Sequence, residues 1–283
     1  MIRTILVPLA DGLPGHPVLD AALSLDKNVN THIQAIFIRP DPAVAAAYVP
    51  DVVLASGVTV ETIERKTTEA AAAEKDRFNK WRVDHNIPAS AGAGQDRAFA
   101  TWSEAVGEIE TVVTRYGRVS DLLVVHRPTL GAIPAQRCFD AAVFGSGCLT
   151  LVVGNVLPSD MTEHIMIAWN GSLEASRAVS GALPMLHRAG RVSIFAAPQE
   201  DTENADGMDL AESLAFRGIR APEVIFPKSG ESAGTSLIDA AIDQRATLIV
   251  MGAYTHGRLR QTFLGGVTKR LLAHAPVPLL MRH

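Results

Sequence analysis

Three short apolar segments occur twice in the chain, in the same order, and this repeat limits the fold more than any other feature. The matching pairs are residues 5–8 with 165–168, 121–125 with 247–251, and 149–153 with 277–281. A repeat of this kind predicts two copies of one structural unit. The length of 283 residues is sufficient for two domains of ordinary size.

The repeated segments are continuously apolar rather than alternating, which is typical of parallel strands that helices cover on both faces. A further strand-like run follows the first segment of each half, at residues 32–38 and 191–197. Helical patterns such as residues 17–25 and 175–187 lie between the strands. The predicted fold is therefore α/β and Rossmann-type, with two tandem open parallel-sheet domains.

We predict domains at residues 1–155 and 160–283, joined by a short loop that contains Pro158. The first half is longer because it contains an Ala-rich insertion at residues 60 to about 83. Apolar residues such as Phe78 and Trp81 recur in it at helical spacing among charged residues. The insertion is expected to be a long amphipathic helix that covers the sheet, and partner binding is the alternative.

Charge and cysteine content exclude several classes of function. The 26 Lys and Arg residues are balanced by 30 Asp and Glu residues, so no broad positive field favours nucleic acid. Cys138 and Cys148, ten positions apart, suit neither a disulfide framework nor a zinc site, and we expect two buried thiols. No apolar run approaches the length of about 18 residues that predicts a membrane helix, and no export signal is recognised, so we expect a cytoplasmic protein.

The segment after residue 251 has the layout of a phosphate-binding loop. Gly252 follows a predicted buried strand, and Gly265 and Gly266 precede a predicted helix. Glycine allows close approach to the backbone, and the start of a helix attracts anions. Ligands of open parallel sheets also bind beyond the carboxyl ends of the strands. The alternative is a close turn between strand and helix with no ligand.

This segment resembles the end of universal stress proteins, where a strand precedes Gly-x-x-Gly, nine further residues, and Gly followed by Ser or Thr. Gly252 matches the first glycine of that motif and Gly265 the third. Thr255 replaces the second glycine and Gly266 replaces the hydroxyl residue, for which Thr268 is an alternative source. The strings Gly-Ala-Tyr-x-His and Leu-Gly-Gly-Val-Thr are similar to a variant found in tandem members of the family.

The resemblance implies an adenine nucleotide, ATP with Mg²⁺, as the ligand of the second half. Asn170 stands where nucleotide-binding members have Asp, and its amide can still donate and accept hydrogen bonds. Ala197 corresponds to the residue whose backbone reads adenine in the family. The predicted binding residues are Ala168, Asn170, Ala197, Gly252, Thr255, Gly265, Gly266, Val267 and Thr268.

The first half departs further from the motif and is predicted to bind no nucleotide. Arg137 and Cys138 stand at the positions of Gly265 and Gly266, and Pro128 removes a backbone donor from the preceding loop. Because single-domain relatives pair through their last strands, the resemblance also implies that the two halves form an internal pseudo-dimer. A homodimer of whole chains is a further expectation.

No residue pattern predicts a catalytic or metal site. None of the nine His residues has a recognised ligand spacing, and no nucleophile elbow, Walker A lysine or zinc-protease helix occurs. The glycine-rich loop also lacks a lysine at the phosphate-reaching position, and no paired carboxylates lie near it in sequence, so strong phosphoryl-transfer catalysis is not expected. We therefore expect a stress-response binding protein of the universal stress type. The alternatives are a ligand-free interaction scaffold of the same fold and a slow nucleotide hydrolase.

Overall fold

A computed structural model of the chain describes residues 2–13, 15–25, 31–47, 59–91, 97–197, 207–227, 230–253 and 266–283. Apart from Met1, the chain divides into an N-terminal unit, Ile2–Ser146, and a C-terminal unit, Gly147–His283. The division lies before the strand at residues 149–153, which the repeat had assigned to the first half. That strand therefore belongs to the C-terminal unit.

The N-terminal unit contains a sheet of parallel strands. The strands described are β1 (Thr4–Ala10), β2 (His32–Arg39), β3 (Phe99–Val106) and β4 (Leu122–His126). They pair in the order β3-β2-β1-β4. Every residue of β4 is buried, and so is every residue of β1 after Thr4. Burial on both faces explains why their sequences are continuously apolar.

Four helices of this unit contact the strands, and the short second helix packs mainly against the long third one. The helices are α1 (Gly15–Ser24), α2 (Pro42–Ala47), α3 (Val60–Asp84), α4 (Ile109–Gly117) and α5 (Ile133–Asp140), which continues as a π-helical turn (Ala141–Gly145). The inserted helix α3 lies where the sequence predicts a helix, and it contacts α1, β2 and β3. Phe78 of α3 packs against Trp102 of β3, with ring centroids 5.5 Å apart. The apolar stripe of α3 thus covers part of the sheet.

The strands of the C-terminal unit are also mostly parallel. They are β5 (Leu149–Val153), β6 (His164–Trp169), β7 (Arg191–Ala196), β8 (Glu223–Ile225), β9 (Leu248–Gly252) and β10 (Leu279–Arg282). The order is β5-β10-β9-β6-β7-β8, and only β5 runs antiparallel to its partner, β10. The predicted α/β fold with a mostly parallel sheet is confirmed.

The helices of this unit are α6 (Leu173–Leu186), α7 (Met208–Phe216), α8 (Ala233–Asp243) and α9 (Gly266–His274). Helix α6 contacts β9 and β10, whereas α8 packs against α9. The start of α9 agrees with the prediction of a helix near Gly266. No helix of the described ranges is long and apolar enough to cross a membrane.

In each unit, a side chain just before one central strand hydrogen-bonds to the backbone at the start of its neighbour. It joins β4 to β1 in the N-terminal unit and β9 to β6 in the C-terminal unit. In the N-terminal unit the carboxylate of Asp121 accepts hydrogen bonds from the backbone N–H groups of Arg3 and Thr4, both at 2.9 Å. In the C-terminal unit the hydroxyl of Thr247 accepts from the N–H of His164 at 3.0 Å. Asp121 and Thr247 each directly precede the matching strand, so the structural repeat extends to single hydrogen bonds.

Candidate functional site

The strand order of the C-terminal unit creates a topological switch point. From β6 the chain continues to β7 and β8 on one side, and it then returns to β9 on the other side of β6. Open α/β sheets bind ligands at such a reversal, beyond the carboxyl ends of the strands. Asn170 directly follows β6 and Gly252 is the last residue of β9. The fold therefore brings these two predicted residues to neighbouring strand ends.

Asn170 forms a tight turn at the end of β6. Its side-chain oxygen accepts a hydrogen bond from the N–H of Ser172 at 3.2 Å. Gly171 between them has φ +73°, a conformation that favours glycine. The turn places Ser172 as the N-cap of α6, where its hydroxyl accepts from the N–H of Ala175 at 3.1 Å. With its oxygen engaged in the turn, Asn170 has its NH₂ group left to donate to a ligand.

Gly252 lies directly against the first turn of α6. A Cβ atom at this position would be 2.5 Å from the backbone N of Ala175 and 2.8 Å from the carbonyl carbon of Glu174. These distances are too short for any side chain. Packing between β9 and α6 therefore requires glycine here whether or not a ligand binds.

The other predicted residues on β6 and β7 lie beside this turn. Ala168 is half-buried and pairs in register with Met251 of β9. Ala197 follows β7, and its N–H donates to the carbonyl oxygen of Trp169 at 2.8 Å. Since that N–H is committed to the sheet, a ligand would have to use the carbonyl group of Ala197.

The start of α9 supplies an exposed helix terminus at the same edge. Gly266 is exposed, and a Cβ atom added to it would meet no atom of the described residues within 4 Å. Val267 lies close to α8. Its Cα atom is only 3.3 Å from the position that a Cβ atom would take at Gly234 of that helix. Thr268 is only 5% exposed. Its hydroxyl therefore offers a ligand little surface, whereas the space at Gly266 is open.

Charged groups of both signs lie near this edge. Glu174 is half-buried in the first turn of α6, whereas Lys269 and Arg270 are exposed on α9. Thr255 and Gly265, also predicted to bind, lie outside the described residues. Within the described ranges, no group of three or more His, Cys, Asp or Glu side chains is arranged to hold a metal ion.

The matching edge of the N-terminal unit has different residues. Asp11 and Gly12 follow β1 as Asn170 and Gly171 follow β6, and Gly12 has φ +80°. An acidic residue before glycine at the end of the first strand is the sequence signal that marks this correspondence, and the motif comparison above does not include it. Arg39 corresponds to Ala197. Arg39 follows Ile38, which pairs with the last residue of β1, and Ala197 follows Ala196, which pairs with the last residue of β6. Beyond β4, burial lowers the pKa of Arg127.

Residues 161–283 match the family model of the universal stress protein family. This part of the chain is a universal stress protein domain. It includes all the predicted binding residues and most of the C-terminal unit, but the match begins after β5. A second universal stress protein domain in the N-terminal unit stays a prediction, which the internal repeat supports.

A universal stress protein from Thermus aquaticus is 28% identical to this chain over 138 residues, which cover 43% of this chain and 98% of the relative. A universal stress protein from Archaeoglobus fulgidus DSM 4304 has a similar structure, with a TM-score of 0.73 at 14% identity over 99% of this chain and 96% of its own. A putative universal stress protein from Pseudomonas aeruginosa UCBPP-PA14 has a TM-score of 0.60 at 15% identity, over 99% of this chain and 93% of its own. At these identities the structural likeness concerns the fold alone, and it extends over both units.

Proposed function

We propose that the C-terminal unit binds an adenine nucleotide, ATP with Mg²⁺, at the carboxyl ends of β6, β7 and β9. The observation that carries this proposal is the topological switch between β6 and β9. It places the Asn170 turn and Gly252 side by side within a universal stress protein domain. The output of binding would be a change in conformation or in partner binding rather than catalysis.

The described residues suit different parts of such a ligand. The NH₂ group of Asn170 can donate to a ribose or base acceptor, and the carbonyl group of Ala197 can accept from the adenine amino group. The exposed start of α9 at Gly266 has room for a phosphate group, which the positive end of the helix attracts. Bound Mg²⁺ would neutralise phosphate charge near Glu174.

A ligand-free scaffold is the second candidate, and two specific observations favour it. Gly252 is required by its contact with α6, so this glycine is explained without a phosphate. Thr268, the alternative hydroxyl donor, is buried. The two candidates differ in whether the start of α9 binds phosphate, which substitutions at Gly266 can test.

The test compares Gly266→Asp with Gly266→Asn in calorimetric titrations with ATP and Mg²⁺. The two side chains have the same shape, both fit the open space, and they differ in one negative charge. An acidic residue in the first helical turn does not harm the helix, so lost affinity reports on the ligand. We expect Gly266→Asp to weaken ATP binding at least about tenfold relative to Gly266→Asn, because two like charges then lie close together.

A third variant, Gly266→Ser, restores the hydroxyl of the family motif and is expected to tighten binding. Equal affinity of the Asp and Asn variants would place the phosphates elsewhere. The absence of heat at millimolar ATP in all the proteins would remove the nucleotide proposal and favour the scaffold.

A further inference from the structure

One buried carboxylate in the N-terminal unit reaches the start of a helix. Glu74 of the inserted helix α3 is only 4% exposed. Its Oε2 atom accepts a hydrogen bond from Nε of Arg77 at 2.7 Å. Its Oε1 atom lies against Gly15, the first residue of α1, where any Cβ atom would overlap it. The inserted helix thus places a carboxylate at the positive end of α1.

The corresponding helix of the C-terminal unit has its own cap. Ser172 accepts from the first turn of α6 through its hydroxyl. By its position after the strand and the positive-φ glycine, Leu13 is the counterpart of Ser172 in the N-terminal unit. Leucine has no side-chain oxygen that can accept from a helix terminus. Leu13 therefore cannot supply this local cap, whereas Glu74 brings a negative group to the start of α1 from a distant part of the sequence.

A second contact of α3 lies at the end of the neighbouring strand. Arg39, the counterpart of Ala197, donates from Nη1 to the hydroxyl of Thr68 on α3 at 2.9 Å. The Nε atom of Arg39 lies 3.6 Å from Glu104 of β3. A cation held by α3 and β3 therefore replaces the small residue that adjoins the candidate site in the C-terminal unit.

The position of Glu74 is fixed by the rest of the helix. Trp81, about two turns beyond Glu74 on α3, donates from its ring nitrogen to the carboxylate of Asp20 on α1 at 2.7 Å. Phe78, between them, is 2% exposed and stacks near Trp81 with ring centroids 6.0 Å apart. These contacts hold α3 along α1, so the carboxylate of Glu74 stays at the start of α1.

We propose that α3 is an intramolecular substitute for an anionic ligand in the N-terminal unit. Its Glu74 carboxylate occupies the anion-attracting start of α1 and closes it to external anions. The N-terminal unit is thereby ligand-independent. This inference concerns the N-terminal unit and does not depend on nucleotide binding by the C-terminal unit.

Amide hydrogen exchange of the whole chain tests this proposal at the first turn of α1. Removal of the buried carboxylate that lies against Gly15 is expected to loosen this turn and to accelerate exchange there roughly tenfold in Glu74→Ala. Added sodium acetate should restore slow exchange in this variant by supplying a carboxylate, whereas sodium chloride at equal ionic strength should not. Acetate should change nothing in the wild-type chain, because Glu74 already occupies the position.

Two further variants control for shape and for general effects on the helix. Glu74→Gln keeps the shape but loses the charge, and exchange at the start of α1 should again be faster than in the wild type. Glu69→Gln removes an exposed carboxylate that pairs with Arg65 on the same helix, and it should leave α1 unchanged.

The proposal is overturned if Glu74→Ala exchanges like the wild type, or if chloride restores it as well as acetate does. If Glu74→Ala does not fold, Glu74→Gln decides the question. Protection of α1 in Glu74→Gln equal to that of the wild type would show that the charge of Glu74 has no role there.

Discussion

Gly252→Ala tests the contact between the end of β9 and the first turn of α6. The new Cβ atom would be 2.5 Å from the backbone N of Ala175, 2.8 Å from the carbonyl carbon of Glu174 and 2.9 Å from the Cβ atom of Glu174. None of these atoms can move away by side-chain rotation, so α6 must shift relative to β9. Overpacking of this kind typically costs about 1–3 kcal/mol. For a domain of this size, such a loss lowers the melting temperature by roughly 3–10 °C.

Gly266→Ala is the matched control, because its Cβ atom would meet no atom within 4 Å in the part of the chain that the structure describes. Alanine is also the better helix former, by up to about 1 kcal/mol, so this variant should be neutral or slightly stabilised. Thermal unfolding followed by circular dichroism and urea unfolding would compare the two variants with the wild type. If Gly252→Ala were as stable as Gly266→Ala, the packing explanation of Gly252 would be refuted.

Two further predictions concern buried titratable groups. The ring of His164 contacts Gln244 O at 3.0 Å and Ser193 Oγ at 2.8 Å. Burial lowers the pKa of His164, so this side chain binds a proton more readily in the unfolded chain than in the folded one. The free energy of unfolding should therefore fall as the pH drops below the ordinary value of 6.5, and urea titrations should show a smaller fall for His164→Asn. Equal pH dependence in both proteins would contradict this role of His164. Burial raises the pKa of Cys138 to about 12, so iodoacetamide at neutral pH should modify this thiol in the unfolded chain but not in the native one. Mass spectrometry of the modified peptides would measure this, and similar rates in the two states would show that the thiol is accessible.

The strands that are buried on both faces could be predicted from the sequence, whereas two edge strands could not. Continuous apolar runs identify β1 and β4 because helices or neighbouring elements cover both of their faces. Every residue of β3 except Ala100 is exposed or half-buried, and Thr101, Ser103 and Glu104 are polar. Strand β8 has three residues, all of them half-buried. Neither has the length or apolar continuity that separates a strand from a loop.

Tertiary packing explains the other differences between sequence and structure. The residues of β5 carry no local signal for its antiparallel pairing with β10, which follows only from the family resemblance, through pairing of the last strands. Gly252 is a point of close approach in the structure. The group that approaches it among the described residues is the first turn of α6. A glycine in the sequence does not indicate which group will pack against it.

Glu74 illustrates a limit of helical periodicity. On an amphipathic helix with many charges, a Glu is ordinarily assigned to the solvent face. Its burial depends on the absence of a side chain at Gly15, far away in the sequence. Arg77, three residues later, was the one local indication that this carboxylate has a partner.

A titration of the whole chain with ATP and Mg²⁺, followed by amide hydrogen exchange, tests the asymmetry between the two units most directly. We expect one bound nucleotide per chain, with slower exchange at the ends of β6 and β9 and at the start of α9. Exchange in the N-terminal unit, Ile2–Ser146, should not change. Two bound nucleotides, protection confined to the N-terminal unit, or no binding at millimolar ATP would contradict a single nucleotide site in the C-terminal unit.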